Sequence, residues 1–187
     1  MTKHAQLLII INMKYLIVSD LHGSISSYEA LSDIIKKEKP DTVVFLGDMC
    51  RNDNYLEINA VLNNVYTPLV MVSGNCDNPY VVSKLNVGFW GTSKQIDEKT
   101  QSLFFTHGHV TALPPPTLKK GDVFFYGHRH CTDVYVYHGV YCVCVGSLAY
   151  PRCGSNKAYC TFENGIIRLI SAENGTIILQ IDTKGNN

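Results

Sequence analysis

The sequence predicts an α/β fold in which two β-sheets pack face to face with helices outside. Three observations lead there. Strand, helix, strand, helix and strand alternate over residues 14–72; short strands punctuated by turns fill the later part; and 187 residues, 45% hydrophobic and 17% charged, suit one domain with one sizeable core.

The elements follow in order. Lys14–Ser19 (KYLIVS) is a β-rich run ending in Asp20. Ser26 and Glu29 stand at capping-box spacing, and Leu31, Ile34 and Ile35 then share one helical face until Pro40 stops it. Thr42–Leu46 (TVVFL) is the second strand, Leu56, Ala60, Val61 and Val65 form a second helical stripe, and Pro68–Val72 (PLVMV) is the third strand. Continuously apolar strands separated by helices predict a parallel sheet covered on both faces. After about residue 85, Ser102–Phe105 and Asp122–Tyr126 give two more short strands, followed by runs at 133–138, 140–145, 157–162, 166–171 and 176–181. Asn164-Gly165 and Asn174-Gly175 are hairpin signals, so this half is expected to be mostly antiparallel. Pro114–Pro116 marks a rigid local loop.

Composition excludes several functions. Sixteen Lys+Arg balance sixteen Asp+Glu, which leaves no bulk positive field for nucleic acid or an anionic membrane. Seven Cys, at 50, 76, 131, 142, 144, 153 and 160, form no C-x-x-C pair. They are expected to be mostly small buried groups, with neither a disulfide framework nor a Cys-based zinc site, as suits a reducing cytoplasm. Leu7–Ile11 is too short for a signal h-region, and no segment approaches the ~20 apolar residues of a membrane span. A cytoplasmic protein is expected, with one domain over 13–187 behind an N-terminal extension at 1–12. That extension is either an upstream stretch of reading frame ahead of Met13 or a loose or strand-adding segment.

The informative polar residues lie where the apolar strands stop. YLIVS ends in Asp20-Leu21-His22, VVFL in Gly47-Asp48, LVMVS in Gly74-Asn75-Cys76-Asp77, LFFT in His107-Gly108-His109, and VFFY in Gly127-His128-Arg129-His130. Strand C-termini are the edge of an α/β sheet where ligand sites form. Singly each motif is weak, since Gly-Asp after a strand is usually a turn; five in order are not. Two carboxylates, four imidazoles and one amide, with no thiolate required, match Mn²⁺, Fe²⁺, Co²⁺ or Zn²⁺. Seven donors exceed one small ion but suffice for two sharing a carboxylate at ~3.5–4 Å.

The ordered set Asp20-x-His22, Gly47-Asp48, Gly74-Asn75-x-Asp77, His107-x-His109 and Gly127-His128-x-His130 resembles the calcineurin-like metallophosphoesterase superfamily, and its Gly-Asn-Cys-Asp form the small YfcE-type phosphodiesterases. Gly146-Ser147 and Pro151-Arg152 extend the resemblance to about residue 152. It implies a four-layer αββα sandwich and a metal-dependent phosphodiesterase that sends a metal-activated water in line at phosphorus. It assigns Asp20, His22 and His130 to one metal, Asn75, His107 and His128 to a second, and Asp48 to both. Mn²⁺ is the implied ion, with Fe, Ni, Co or Zn as alternatives, and a small phosphate ester the substrate; a homo-oligomer is also implied. A phosphomonoesterase or nucleotide hydrolase on the same site, and a non-catalytic scaffold like the related retromer subunits, are the alternatives.

Relative to the wider superfamily, Cys76 replaces a His that approaches the phosphate. A thiol, with an ordinary pKa near ~8.5, is a weak acid for a leaving oxygen, which predicts diesters with good leaving groups over alkyl monoesters. Asp48, Asn75, Cys76 and His109 are thus the candidate catalytic residues, His109 either bonding near substrate or fixing its own loop. Asp77 is expected to support the residue-76 loop, Arg51 is the better phosphate-binding candidate, and Arg129 is expected to point to solvent. His4, His138 and Val145 carry no assigned role.

Overall fold

A computed structural model describes residues 13–50 and 54–185. The expectations for residues 1–12, including His4, and for Arg51 lie outside the described residues.

A seven-stranded sheet has the order β12-β11-β10-β1-β2-β3-β4. Its strands are β1 (Tyr15–Val18), β2 (Thr42–Phe45), β3 (Leu69–Met71), β4 (Gly88–Phe89), β10 (Ala158–Glu163), β11 (Ile166–Ser171) and β12 (Ile177–Asp182). β1 to β4 run parallel, and β10 joins the other side of β1 antiparallel. A five-stranded sheet, order β5-β6-β7-β9-β8, is built from β5 (Ser93–Asp97), β6 (Ser102–Thr106), β7 (Val123–Tyr126), β8 (Thr132–Tyr137) and β9 (Val140–Val145).

The two sheets face each other through Ile17, Val44, Leu46, Phe105, Phe125, Val143 and Cys160, all completely buried. Each large apolar side chain taken fully out of water contributes roughly 1.5–3 kcal/mol, so this layer fixes the relation of the sheets. On the outer face of the larger sheet, α1 (Ile25–Glu38), α2 (Tyr55–Leu62) and α3 (Pro79–Val82) pack through Tyr28, Leu31, Ile58 and Val81 against Leu16, Val43 and Phe45. The outer face of the smaller sheet carries a loop-borne cover, with Leu118 against Phe124, Tyr126, Cys142 and Cys144.

One local expectation is corrected and others are met. Helix α1 begins two residues earlier than the Ser26/Glu29 pair implied: Ser24 is its N-cap, and Ser24 Oγ meets Ser27 Oγ at 2.9 Å without a side-chain cap to the backbone. Its end is as the sequence suggests, with Lys39 in the left-handed region (φ 49°) directly before Pro40. The later half is mostly antiparallel, as expected, but β6, β7 and β9 run parallel to one another. Parallel neighbours normally need a helical crossover; here the 107–122 connection contains no helix, so the sequence carried no sign of it. The Asn164-Gly165 turn does join β10 and β11 with both φ values positive, 54° and 83°.

Candidate metal centre

The C-termini of β1, β2, β3, β6 and β7 open onto one edge of the sandwich, and each delivers its polar residue there. Three groups of donor atoms form, each with all members within 4.8 Å: Asp20, His22 and His130; His22, Asp48 and Cys76; and Asp20, Asp48 and His107. Asp20 and His107 are wholly buried and Asp48 nearly so. Exposed Asn75 joins through its Oδ1, 3.0 Å from His107 Nε2. His128, also exposed, lies outside these tight groups, its ring edge-on to His107 with centroids 5.1 Å apart. His109 sits 5.2 Å from His107 and 6.3 Å from His128, centroid to centroid.

Backbone carbonyls aim the imidazoles. His107 Nδ1 lies 2.7 Å from Leu46 O and His130 Nδ1 2.7 Å from Tyr150 O. A carbonyl only accepts, so each Nδ1 donates and each Nε2 turns inward. For His107 that inward nitrogen faces two more acceptors, Asn75 Oδ1 at 3.0 Å and Asp48 Oδ2 at 3.4 Å. Three oxygens around one ring call for positive charge, supplied by a second proton or a cation. Asp20 Oδ1 is buried and accepts no hydrogen bond, an oxygen left over for the same purpose. The donor set therefore fits divalent cations.

The backbone is bent to deliver these atoms. Asp20, His22, Asp48, His128 and His130 all have positive φ, between 45° and 64°. Such conformations cost non-glycine residues of order 1–3 kcal/mol each and persist where the surroundings impose them. Asp77 is one such restraint: its half-buried carboxylate accepts the N–H groups of Gly74 (2.7 Å), Asp48 (2.8 Å), Met49 (2.8 Å) and, at 3.4 Å, Cys50. One side chain thereby ties the β2 loop to the β3 loop. Ser147 is another, donating to the Asp20 carbonyl at 2.7 Å while accepting from Ala149 and Tyr150 N–H. Neither Leu46 O, Tyr150 O nor Ser147 was assigned a role from sequence; only Ser147 left a trace, in the Gly-Ser turn.

A calcineurin-like phosphoesterase superfamily domain matches residues 13–165, which include all of these donors. The chain belongs to that superfamily. The phosphodiesterase YfcE of Escherichia coli K12 is 27% identical over 179 residues, 90% of this chain and 97% of YfcE. The solved structure of YfcE, a phosphoesterase from E. coli, superposes with a TM-score of 0.81 at 24% identity, covering 92% of this chain and all of that one. Zinc-complexed Vps29 from Entamoeba histolytica shares the fold at 17% identity and a TM-score of 0.64, over 92% of this chain and all of its own. Membership in the calcineurin-like superfamily implies a divalent metal, in keeping with the donor groups. No helix among the described residues is long and apolar enough to cross a membrane.

The expectation of no disulfide is overturned in one place. Cys131 and Cys153 are bonded, with Cα atoms 5.6 Å apart, while Cys50, Cys142, Cys144 and Cys160 are buried thiols and Cys76 is exposed. Spacing could not reveal the pair, because the approach depends on Arg152 N–H bonding His130 O at 2.8 Å. The bond closes a 22-residue separation, and its reduction is expected to lower stability by about 3 kcal/mol. Denaturant midpoints with and without reductant check this, and equal midpoints would refute it. Arg129 reaches Asp133 at 3.9 Å on the surface, and His138 packs against the Tyr137 ring.

Electrostatics couple Asp48 and His107. Burial raises the Asp48 pKa, but the His107 bond and charge, with the Cys76 N–H, outweigh it and hold it well below the usual range. Burial lowers His107, yet the Asp48 carboxylate outweighs that and carries it above an ordinary imidazole. For the metal-free protein the raised His107 contributes stability that is complete below ~6.5 and lost as pH climbs through the folded value. Depressed Asp48 contributes stability present above ~3.9 and lost as pH falls. A cation at His107 Nε2 must displace that proton. Divalent-ion affinity is thus expected to tighten as pH rises above ~6.5, with proton release seen by calorimetry in buffers of different ionisation enthalpy. Affinity independent of pH would contradict it.

Proposed function

We propose that the chain is a metal-dependent phosphodiesterase working through a dinuclear divalent-metal centre. One observation carries this: the donors form three groups that do not merge into one, linked through Asp20, His22 and Asp48, each of which belongs to two of them. A single small ion would gather its donors in one group, whereas two adjacent ions spread them over linked groups with a carboxylate in common. Asp20, His22 and His130 would hold one ion, Asn75, His107 and His128 the other, and Asp48 would serve both. Mn²⁺ is the ion proposed, with Fe, Ni, Co and Zn compatible with the donors. Bound there, the ions supply Lewis-acid charge that activates water and neutralises phosphoryl oxygens.

The chain's own residues orient and select. Asp20 and Asp48 concentrate negative charge in a buried position, where it holds cations more strongly than at the surface. Exposed His109, beside His107, is placed to donate to a phosphoryl oxygen of a small phosphate ester. Its pKa is lowered by burial and then by the neighbouring His107 and His128. Cys76 borders the same opening but donates a proton poorly, so leaving groups that need no protonation are favoured. The name of the YfcE relative agrees with this diesterase reading.

The test is hydrolysis of an activated aryl phosphodiester and the matching monoester by purified protein with Mn²⁺. Robust diesterase activity lost on chelation is expected; none, with metal bound, would favour a non-catalytic scaffold. Cys76→His is expected to raise the monoester-to-diester ratio at least ~10-fold, short of the ~10²–10⁴ that a fitted general acid supplies. An unchanged ratio removes Cys76 from leaving-group selection.

A further inference from the structure

We infer that Cys76 is itself a metal ligand, an eighth donor that adds sulfur to an otherwise nitrogen and oxygen centre and tilts it toward thiophilic ions. The inference rests on the two-metal reading above and concerns which atoms complete it.

Cys76 Sγ lies within 4.8 Å of donor atoms of both His22 and Asp48, the spacing at which three ligands meet on one ion. Its backbone N–H donates to Asp48 Oδ1 at 2.8 Å, which fixes the residue against the shared carboxylate. Asn75 Nδ2 donates to the sulfur at 3.3 Å, so that amide already treats Sγ as an acceptor. Among the described residues the other thiols are buried elsewhere or joined in the disulfide, and Cys76 alone is an exposed thiol. The second pointer lies next door: His22 belongs also to the group of Asp20 and His130, where the buried Asp20 Oδ1 accepts no hydrogen bond.

The chemistry balances without an oxidant. The thiol loses its proton to buffer as the S–metal bond forms, with no change in oxidation state of sulfur or metal. Thiolate is a soft ligand that favours Zn²⁺ or Co²⁺ over Mn²⁺, whereas histidine, carboxylate and amide alone discriminate less. A ligating sulfur also explains why the position is a poor leaving-group acid: once bound, it has no proton to give.

Cobalt tests this without reference to turnover. Metal-stripped protein is titrated with Co²⁺, following near-ultraviolet sulfur-to-cobalt charge-transfer absorption and bound metal by elemental analysis. Expected is a charge-transfer band saturating as Co²⁺ loads, absent from Cys76→Ser, while that variant still binds Co²⁺. In Zn²⁺/Mn²⁺ competition, Cys76→Ser should lose about tenfold or more of the zinc preference, the lower end of what losing a supporting group costs a metal site. Two cobalt ions bound with no band in the unmodified protein, or an equal band in Cys76→Ser, would overturn the sulfur ligand and leave the two-metal reading standing. No cobalt bound at all would overturn both.

Discussion

Asp48→Asn is expected to abolish phosphodiester hydrolysis and leave the purified protein depleted of metal. The substitution keeps the side chain's shape and removes only its charge. Asp48 is 2% exposed, accepts the Cys76 N–H at 2.8 Å, and lies 3.6 Å from His22 and 3.4 Å from His107. Asn can still accept from Cys76, so the loop should hold and the circular dichroism spectrum should be unchanged. What it cannot do is offer the anionic oxygen that the proposed two-metal centre needs; one of its two heads is an N–H donor that repels cations. Loss of a single well-placed electrostatic group commonly costs ~10²–10³-fold in rate, and here the cofactor should go as well. Elemental analysis and the aryl-diester assay read the two effects separately. A variant with full metal content and near-normal rate would remove Asp48 from the centre, and with it the argument from shared carboxylates.

Much of this site was legible because it uses a regularity of α/β chains: apolar strands buried on both faces leave their polar residues at their ends. Asp20, Asp48, Asn75, His107 and His128 each interrupt an apolar run at its C-terminal side, so chain order alone gathers them on one edge once the strands are parallel. The parts that were not legible have two physical origins. Some are made of backbone, such as the Leu46 and Tyr150 carbonyls that aim His107 and His130, and every residue has a carbonyl. Others depend on long-range approach. The Cys131–Cys153 bond needs the 150–155 turn to fold back on His130, and β9 reaches β7 in parallel only because β8 turns outward as the sheet edge. Asp77 falls between these cases. Its place beside Asn75 suggested support for that loop, but the reach to Asp48 and Met49 across the sheet was visible only in three dimensions.

Glycine is where the close approach of the ligand loops becomes testable. Gly127 crosses directly over Asp20: its N–H bonds His107 O at 3.0 Å, and the next residue's N–H donates to Asp20 Oδ2 at 3.0 Å. A Cβ added at Gly127 would overlap Ser19 Oγ and stand 2.8 Å from Asp20 Oδ2, closer than real carbons approach. Gly127→Ala is therefore expected to cost ~1–3 kcal/mol through overpacking and to push Asp20 away from His130, its partner at 3.2 Å. Gly91→Ala is the comparison, since a Cβ there meets nothing within 4 Å and only its φ of 85° resists substitution. Melting temperature should fall in both variants, but metal content should fall only in Gly127→Ala. The double variant Ser19→Gly/Gly127→Ala separates the two injuries: it removes the clash with Ser19, so stability should recover in part, while the methyl still crowds Asp20 Oδ2 and metal should remain low. Full recovery of metal in the double variant would mean that Gly127 matters only for packing against Ser19, and that crowding of Asp20 does not weaken metal binding.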